Sequence, residues 1–185
     1  LGIDEAGRGC VLGALVIGGF FIEDDGDGQD RLRAAGAADS KTLSAKKRAA
    51  AREALRPLGT PDVRLVSANA IDAGNLNHLE EAVIIQLVDK WRPDRVIVDA
   101  LGHPKTLPRL MQRLDGALAK DTPKPEWVIE PKADHTYPVV GAASIFAKTT
   151  RDTLLDELKE TWGVLGSGYP SDPKTRTWLA DWART

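Results

Sequence analysis

A single cysteine, Cys10, stands in 185 residues. One thiol cannot close a disulfide within the chain, and it leaves a thiolate-held metal site short of ligands. The three histidines, His78, His103 and His135, are scattered. They read as surface or loop residues rather than as bases. No apolar run approaches the roughly 20 residues of a membrane-spanning helix, and the opening residues do not resemble a signal peptide. The expected location is therefore the cytoplasm, with no membrane partner. Neither sign of charge dominates: the formal net charge is -2. Bulk charge thus gives no sign of nucleic-acid binding, which would need a local basic face. The Gly-Lys-Ser/Thr of a phosphate-binding loop is missing, which disfavours a nucleotide-triphosphate switch. Gly7-x-Gly9-x-x-x-Gly13 has the wrong spacing for a dinucleotide fingerprint, and strand-forming residues follow where a helix is required. The acidic run at 23–30 (EDDGDGQD) lacks the closing Glu of a calcium-binding loop and reads as a solvated loop. No internal repeat is present. Hydrophobic content of 42% and charged content of 28% suit one globular domain spanning 1–185.

What the chain does have is concentrated at its start. Leu1 and Ile3 lead into two adjacent carboxylates, Asp4 and Glu5, and then into the tight turn Gly7-Arg8-Gly9. Paired acids at a strand end repel one another, and burial adds to that cost. A divalent cation would relieve the repulsion, and the glycines would let a phosphate backbone approach the main chain.

The remainder reads as alternating strands and helices. Val11–Ile22 reads as one long strand forming a hairpin with the first five residues. Ser44 is a good N-cap for a helix over AKKRAAAREAL that stops at Pro57-Leu58-Gly59. Val63–Val66 suggests a third strand, 69–77 a turn-rich stretch, and Leu79–Trp91 a helix closed by Pro93. Arg95–Asp99 is the cleanest buried strand, and it ends in an acid. Pro104 opens a helix through Leu118, Trp127–Glu130 is a last short strand, and Val139–Trp162 is the longest helix. Asp172 caps and Pro173 opens a final helix. An antiparallel start followed by βαβ units implies an α/β domain, a mixed sheet with helices on its faces.

Four acids stand out: Asp4, Glu5 and Asp99 at strand ends, and Asp134 just before the longest helix. Oxygen ligands without a matching Cys or His set select a hard cation, magnesium or manganese. Two such ions about 4 Å apart can activate a water and stabilise the leaving oxygen in phosphodiester hydrolysis. Any one Asp at a strand end is commonly a cap or turn residue, so the case rests on the four together. Tyr169, held between Gly168 and Pro170, could stack on a sugar or base, or simply pack a turn.

IDEAGRG at 3–9, DSK at 39–41, VDA at 98–100, KAD at 132–134, AASIFAK at 142–148, RD at 151–152 and GSGYPSDPKT at 166–175 resemble the ribonuclease HII family, the type 2 ribonucleases H. The likeness spans nearly the whole chain, and its last motif is similar to the archaeal and eukaryotic branch. The resemblance implies a ribonuclease H-like catalytic domain over 1–185, with a mixed five-stranded sheet flanked by helices. It implies endonucleolytic cleavage of the RNA strand of RNA/DNA hybrids, and incision at ribonucleotides embedded in duplex DNA. In that likeness Asp4, Glu5, Asp99 and Asp134 are the catalytic and metal-binding acids, with Asp4 bridging two Mg2+ or Mn2+ ions. Gly7, Arg8 and Gly9 contact the ribonucleotide and its 2′-OH, and Tyr169 senses the RNA–DNA junction. Lys41, Lys132, Ser144, Lys148 and Arg151 fall in matched motifs, as phosphate contacts or as supports and ion-pair partners of the acids. Many relatives continue into a C-terminal helical extension; here it is expected to be short or trimmed, since the sequence stops soon after Trp182. A monomer is expected. Two rival readings are a ribonuclease H-like nuclease acting on structured DNA and a non-catalytic nucleic-acid-binding module.

Overall fold

In the computed structural model, which describes residues 1–23, 25–37, 43–99 and 104–184, the acids lie where a hairpin meets a parallel pair. β1 (Gly2–Ala6) and β2 (Leu15–Phe21) pair antiparallel, with Asp4 opposite Gly18 and Glu5 opposite Ile17. β3 (Thr60–Val66) adds antiparallel to β2; as an edge strand it tolerates Pro61. β4 (Arg95–Asp99) runs parallel to β1 on its other side, and β5 (Glu126–Glu130) runs parallel to β4. The resulting order, β3-β2-β1-β4-β5, is the mixed five-stranded sheet expected.

The central strands are buried on both faces, so both faces must be covered. One face carries α1 (Gly28–Ala34), α2 (Ala45–Leu55), α6 (Ala133–Thr136) and the long α7 (Pro138–Trp162). Phe20, Leu32, Leu55, Ile97, Val140 and Phe146 pack together there. The other face carries α4 (Leu76–Trp91) and α5 (Leu107–Ala117), where Ile3, Ile17, Ile84, Leu87, Val98 and Leu114 form the second core. Strand alternation explains the division: along β4, Val96 and Val98 serve one core and Ile97 the other. Full burial of each such side chain contributes about 1.5–3 kcal/mol. α7 lies directly on the hairpin. A Cβ on Gly18 would stand 2.4 Å from the Ala143 carbonyl oxygen, so only glycine admits the helix this closely. α3 (Ala68–Ala73) precedes α4, and α8 (Pro173–Trp182) follows the loop after α7.

The main elements lie where periodicity and caps put them. The Ser44 hydroxyl accepts from Lys47 N–H at 3.3 Å, and the Asp172 carboxylate accepts from Lys174 N–H at 2.9 Å. Four local readings change. β2 begins at Leu15 rather than Val11, because the Val11 and Leu12 N–H groups donate to Gly168 O at 2.8 and 3.3 Å and draw this stretch out of the sheet. The acidic stretch at 23–30 runs into a helix, since α1 starts at Gly28. Within the supposed turn at 69–77 lies α3, started by Ser67, whose hydroxyl accepts from Ala70 N–H at 3.2 Å. Pro104 opens a single 3-10 turn, and α5 proper begins at Leu107. Lys41, with the rest of the DSK motif, and His103 lie outside the described residues. Among the described residues no helix is long and apolar enough to cross a membrane.

Candidate active site

The parallel pairing of β1 with β4 sets Ile3 beside Val98, and so brings the following acids side by side: Asp99 at the end of β4, and Asp4 within β1 rather than at a strand end, because β1 runs on to Ala6 along β2. Asp4 points toward α7 and is only 3% exposed. It accepts from the Ser144 hydroxyl and from the Glu5 N–H, while its Oδ2 has no hydrogen-bond partner among the described residues. Burial is the main cause that pushes the Asp4 carboxyl up to about 7; Asp99 and Asp134 add to it, and the two hydrogen bonds oppose it. Glu5, next along the strand, leaves by the opposite face. Burial, followed by repulsion from Asp4, Glu80 and Asp99, pushes it up to about 8, against the pull of Arg8. Asp99 Oδ1 accepts from the Ala133 N–H at 3.2 Å, which ties β4 to the start of α6. Asp134, in α6, is buried, with His135 Nε2 4.0 Å from its Oδ1.

These acids suit a hard divalent cation. A buried carboxylate oxygen on Asp4 lacks a donor, and desolvation with mutual repulsion holds Asp4 and Glu5 toward their neutral forms. Among the described residues no three acidic, histidine or cysteine side chains already stand at joint ligating distance. An ion of the magnesium kind needs no closed cage, since it takes one or two carboxylates and completes its shell with water and phosphate oxygens.

Beside the acids, the glycine turn is built into the fold. The Gly7 N–H donates to the Tyr169 hydroxyl at 3.1 Å. Gly7 has φ +101°, and a Cβ there would lie 2.5 Å from Arg151 Nε, so glycine is required on both counts. Arg151 is 1% exposed. Its guanidinium donates to Ser167 O at 3.1 Å and to Leu12 O at 3.2 Å, and lies 5.0 Å from the centre of the Tyr169 ring. The loop carrying Tyr169 is fixed from the other side as well: the Gly168 N–H donates to Thr175 Oγ1 at 3.0 Å, and the Ser167 N–H to Asp172 Oδ2 at 2.7 Å. Arg8 is half-exposed, with Nε 3.0 Å from Glu80 Oε1 and Nη2 donating to Asn77.

The structure thus brings Asp4, Glu5, Asp99, Asp134, Ser144 and the turn into one neighbourhood, with Tyr169 bonded to that turn. Ser144 supports Asp4 directly. Lys132 is exposed, in the left-handed conformation at the start of α6. The Lys148 ammonium engages Asp152, which Arg48 also binds at 3.1 Å, so its partner is a helix neighbour rather than one of the four acids. Sequence reasoning missed Glu80 and Asn77. A signal for Glu80 was present: an acid on the helical stripe that continues as Val83, Ile84 and Leu87, all three buried.

The sheet order, the long helix seated on the hairpin and the acids gathered beside the end of β4 define a ribonuclease H-like fold with an acidic centre. The family model for ribonuclease HII matches residues 1–185, and the chain belongs to that family. A ribonuclease HII of Archaeoglobus fulgidus is 38% identical over 186 residues, covering 98% of this chain and 85% of that one. The structure of the PCNA:RNase HII complex from the same organism superposes with a TM-score of 0.86 at 37% identity, over 99% of this chain and 86% of the other. Ribonuclease H2 from Pyrococcus horikoshii gives the same TM-score at 36% identity, with 99% and 86% covered.

Proposed function

We propose that this enzyme cleaves the RNA strand of RNA/DNA hybrids and incises duplex DNA at embedded ribonucleotides, leaving 3′-hydroxyl and 5′-phosphate ends. The observation that carries the reading is the buried, under-bonded Asp4 among further acids, three residues before a glycine turn bonded to Tyr169.

Asp4, Glu5, Asp99 and Asp134 would hold two Mg2+ or Mn2+ ions. Such ions, when bound, supply a water nucleophile at neutral pH and stabilise charge on the leaving oxygen. Ser144 keeps the Asp4 carboxylate aimed, and the Ala133 N–H does the same for Asp99. Gly7, Arg8 and Gly9 approach the ribonucleotide and its 2′-OH, the group that separates RNA from DNA. Tyr169 stacks on the deoxynucleotide sugar that follows. Lys41, Lys132 and Lys148 approach phosphates, and their contacts position rather than specify. Hydrolysis is in line, so the 3′ oxygen leaves with the upstream strand. The enzyme acts as a monomer on nucleic acid. The A. fulgidus relative is described in complex with PCNA, and PCNA is proposed as a partner here on that likeness.

The test is cleavage of duplex DNA carrying one ribonucleotide, with magnesium, with manganese and with a chelator. Incision beside the ribonucleotide, lost with the chelator, is expected. Cleavage of all-DNA junctions with none at the ribonucleotide would overturn the reading in favour of a structure-specific DNA nuclease.

A further inference from the structure

The glycine turn is tied on two sides, and only one tie belongs to the Tyr169 loop. The other runs through Arg8 to α4. Arg8 Nε lies 3.0 Å from Glu80 Oε1, and Arg8 Nη2 donates to Asn77 Oδ1 at 2.5 Å. Both partners stand in the first two turns of α4. Glu80 is 1% exposed, and its carboxylate has no partner other than Arg8 among the described residues.

A carboxylate so far from water is an expensive way to fill space. The same helix presents Val83, Ile84, Leu87 and Val88 to the core, and an apolar side chain at position 80 would pack there without the desolvation cost. What an apolar side chain cannot do is fix a guanidinium. Arg8 is the one residue between Gly7 and Gly9, both of which have positive φ, so holding its side chain holds the turn. Arg8 also offsets the repulsion between Glu80 and Glu5 on the neighbouring strand.

We infer that Glu80 is a positioning residue: its buried carboxylate, with Asn77, clamps Arg8 to α4 and so sets the Gly7-Arg8-Gly9 turn against the nucleic acid. This rests on the reading of that turn as the ribonucleotide contact. The competing role is a fifth metal-site acid, since Glu80 lies within electrostatic reach of Glu5.

The test uses the full chain with Glu80→Gln, Arg8→Gln and the double variant. It measures kcat/KM on single-ribonucleotide duplex and on long hybrid, the half-saturating Mg2+ concentration and the Tm. Glu80→Gln is expected to lower kcat/KM about tenfold, a loss typical of residues that orient a binding group. The half-saturating Mg2+ concentration should not move, and the double variant should fall no further than Arg8→Gln alone. Should Glu80→Gln unfold at the assay temperature, Asn77→Ala replaces it. Asn77 is exposed, and its loss should lower kcat/KM about threefold and again vanish in the Arg8→Gln background. Wild-type kinetics in Glu80→Gln, losses that multiply with Arg8→Gln, or a shifted Mg2+ requirement each overturn the clamp. A wild-type enzyme that leaves both ribonucleotide substrates intact overturns the functional reading and the clamp together. A silent Glu80→Gln in an active enzyme overturns the clamp alone.

Discussion

Asp4 is a buried carboxylate of the site with one oxygen lacking a hydrogen-bond partner among the described residues. Asp4→Asn removes the charge while keeping the shape, and is expected to abolish cleavage while sparing hybrid binding; near-normal turnover in magnesium would refute its role. The same charge has a pH signature. Asp4 and Glu5 are held above their ordinary range, chiefly by burial. Between about pH 4 and pH 8 the folded chain therefore keeps protons that the unfolded chain has released. Stability must fall as pH rises through that window, by on the order of a few kcal/mol for the pair. Thermal melts of chelator-treated protein at pH 5 and pH 8.5 check this: wild type should lose Tm at the higher pH, and Asp4→Asn should lose less. A wild-type Tm that does not drop, or a drop that Asp4→Asn leaves unchanged, contradicts the assignment. Tyr169 separates into ring and hydroxyl. Tyr169→Ala should harm single-ribonucleotide incision more than cleavage of long hybrid. Tyr169→Phe, which keeps the ring but loses the bond from the Gly7 N–H, should fall between the two. Equal losses on both substrates would mean that the ring only packs the loop.

Among the elements, α7 does most of the placing. It covers β1 and β2, brings Ser144 to Asp4, and continues to Arg151 beneath the Tyr169 loop. Its seat depends on Gly18. Gly18→Ala forces its methyl group to 2.4 Å from the Ala143 carbonyl, so the helix must lift; a loss of about 1–3 kcal/mol is expected, with a lower kcat from a displaced Ser144. Denaturant melts and single-turnover rates measure the two effects, and a variant as stable as wild type would show that the seat is looser than it looks. The elements also show what could be read beforehand. β1, β4 and β5 announce themselves by short apolar runs leading into acids, and α2, α4, α7 and α8 by periodicity and caps. The start of β2 was not legible, because Val11 and Leu12 are claimed by Gly168, a partner remote in the chain. Nor was α3, where Asn69, Asp72 and Gly74 favour a turn and only the Ser67 cap argues otherwise. Asp4, Glu5 and Asp99 could be picked out after apolar runs and Asp134 before the longest helix, although the structure sets Asp4 and Glu5 within β1 and Asp134 within α6; the roles proposed for Gly7-Arg8-Gly9 and Tyr169 come from family resemblance alone. The Arg8–Glu80 pair joins two distant segments, and no local pattern carries such a contact.

For the whole molecule, a net charge of -2 must coexist with a polyanionic substrate. Many of its cations are already spent on neighbouring acids, as in the pairs Arg95–Glu126, Arg113–Glu81 and Arg48–Asp152. Hybrid binding should therefore weaken with salt along a shallow slope, with only about three to five phosphates neutralised. A steep slope, like that of a strongly basic protein, would show that far more of the surface is engaged.

β1 is the middle strand of the sheet, with a hydrophobic core on either side. Its acids therefore cannot ease apart through a local opening, as charges on a frayed edge could. Amide hydrogens of Ile3, Asp4 and Glu5 should exchange with solvent only when the entire domain opens. Ions held by those acids would then slow exchange across both cores alike, so that the site and the fold share one lifetime.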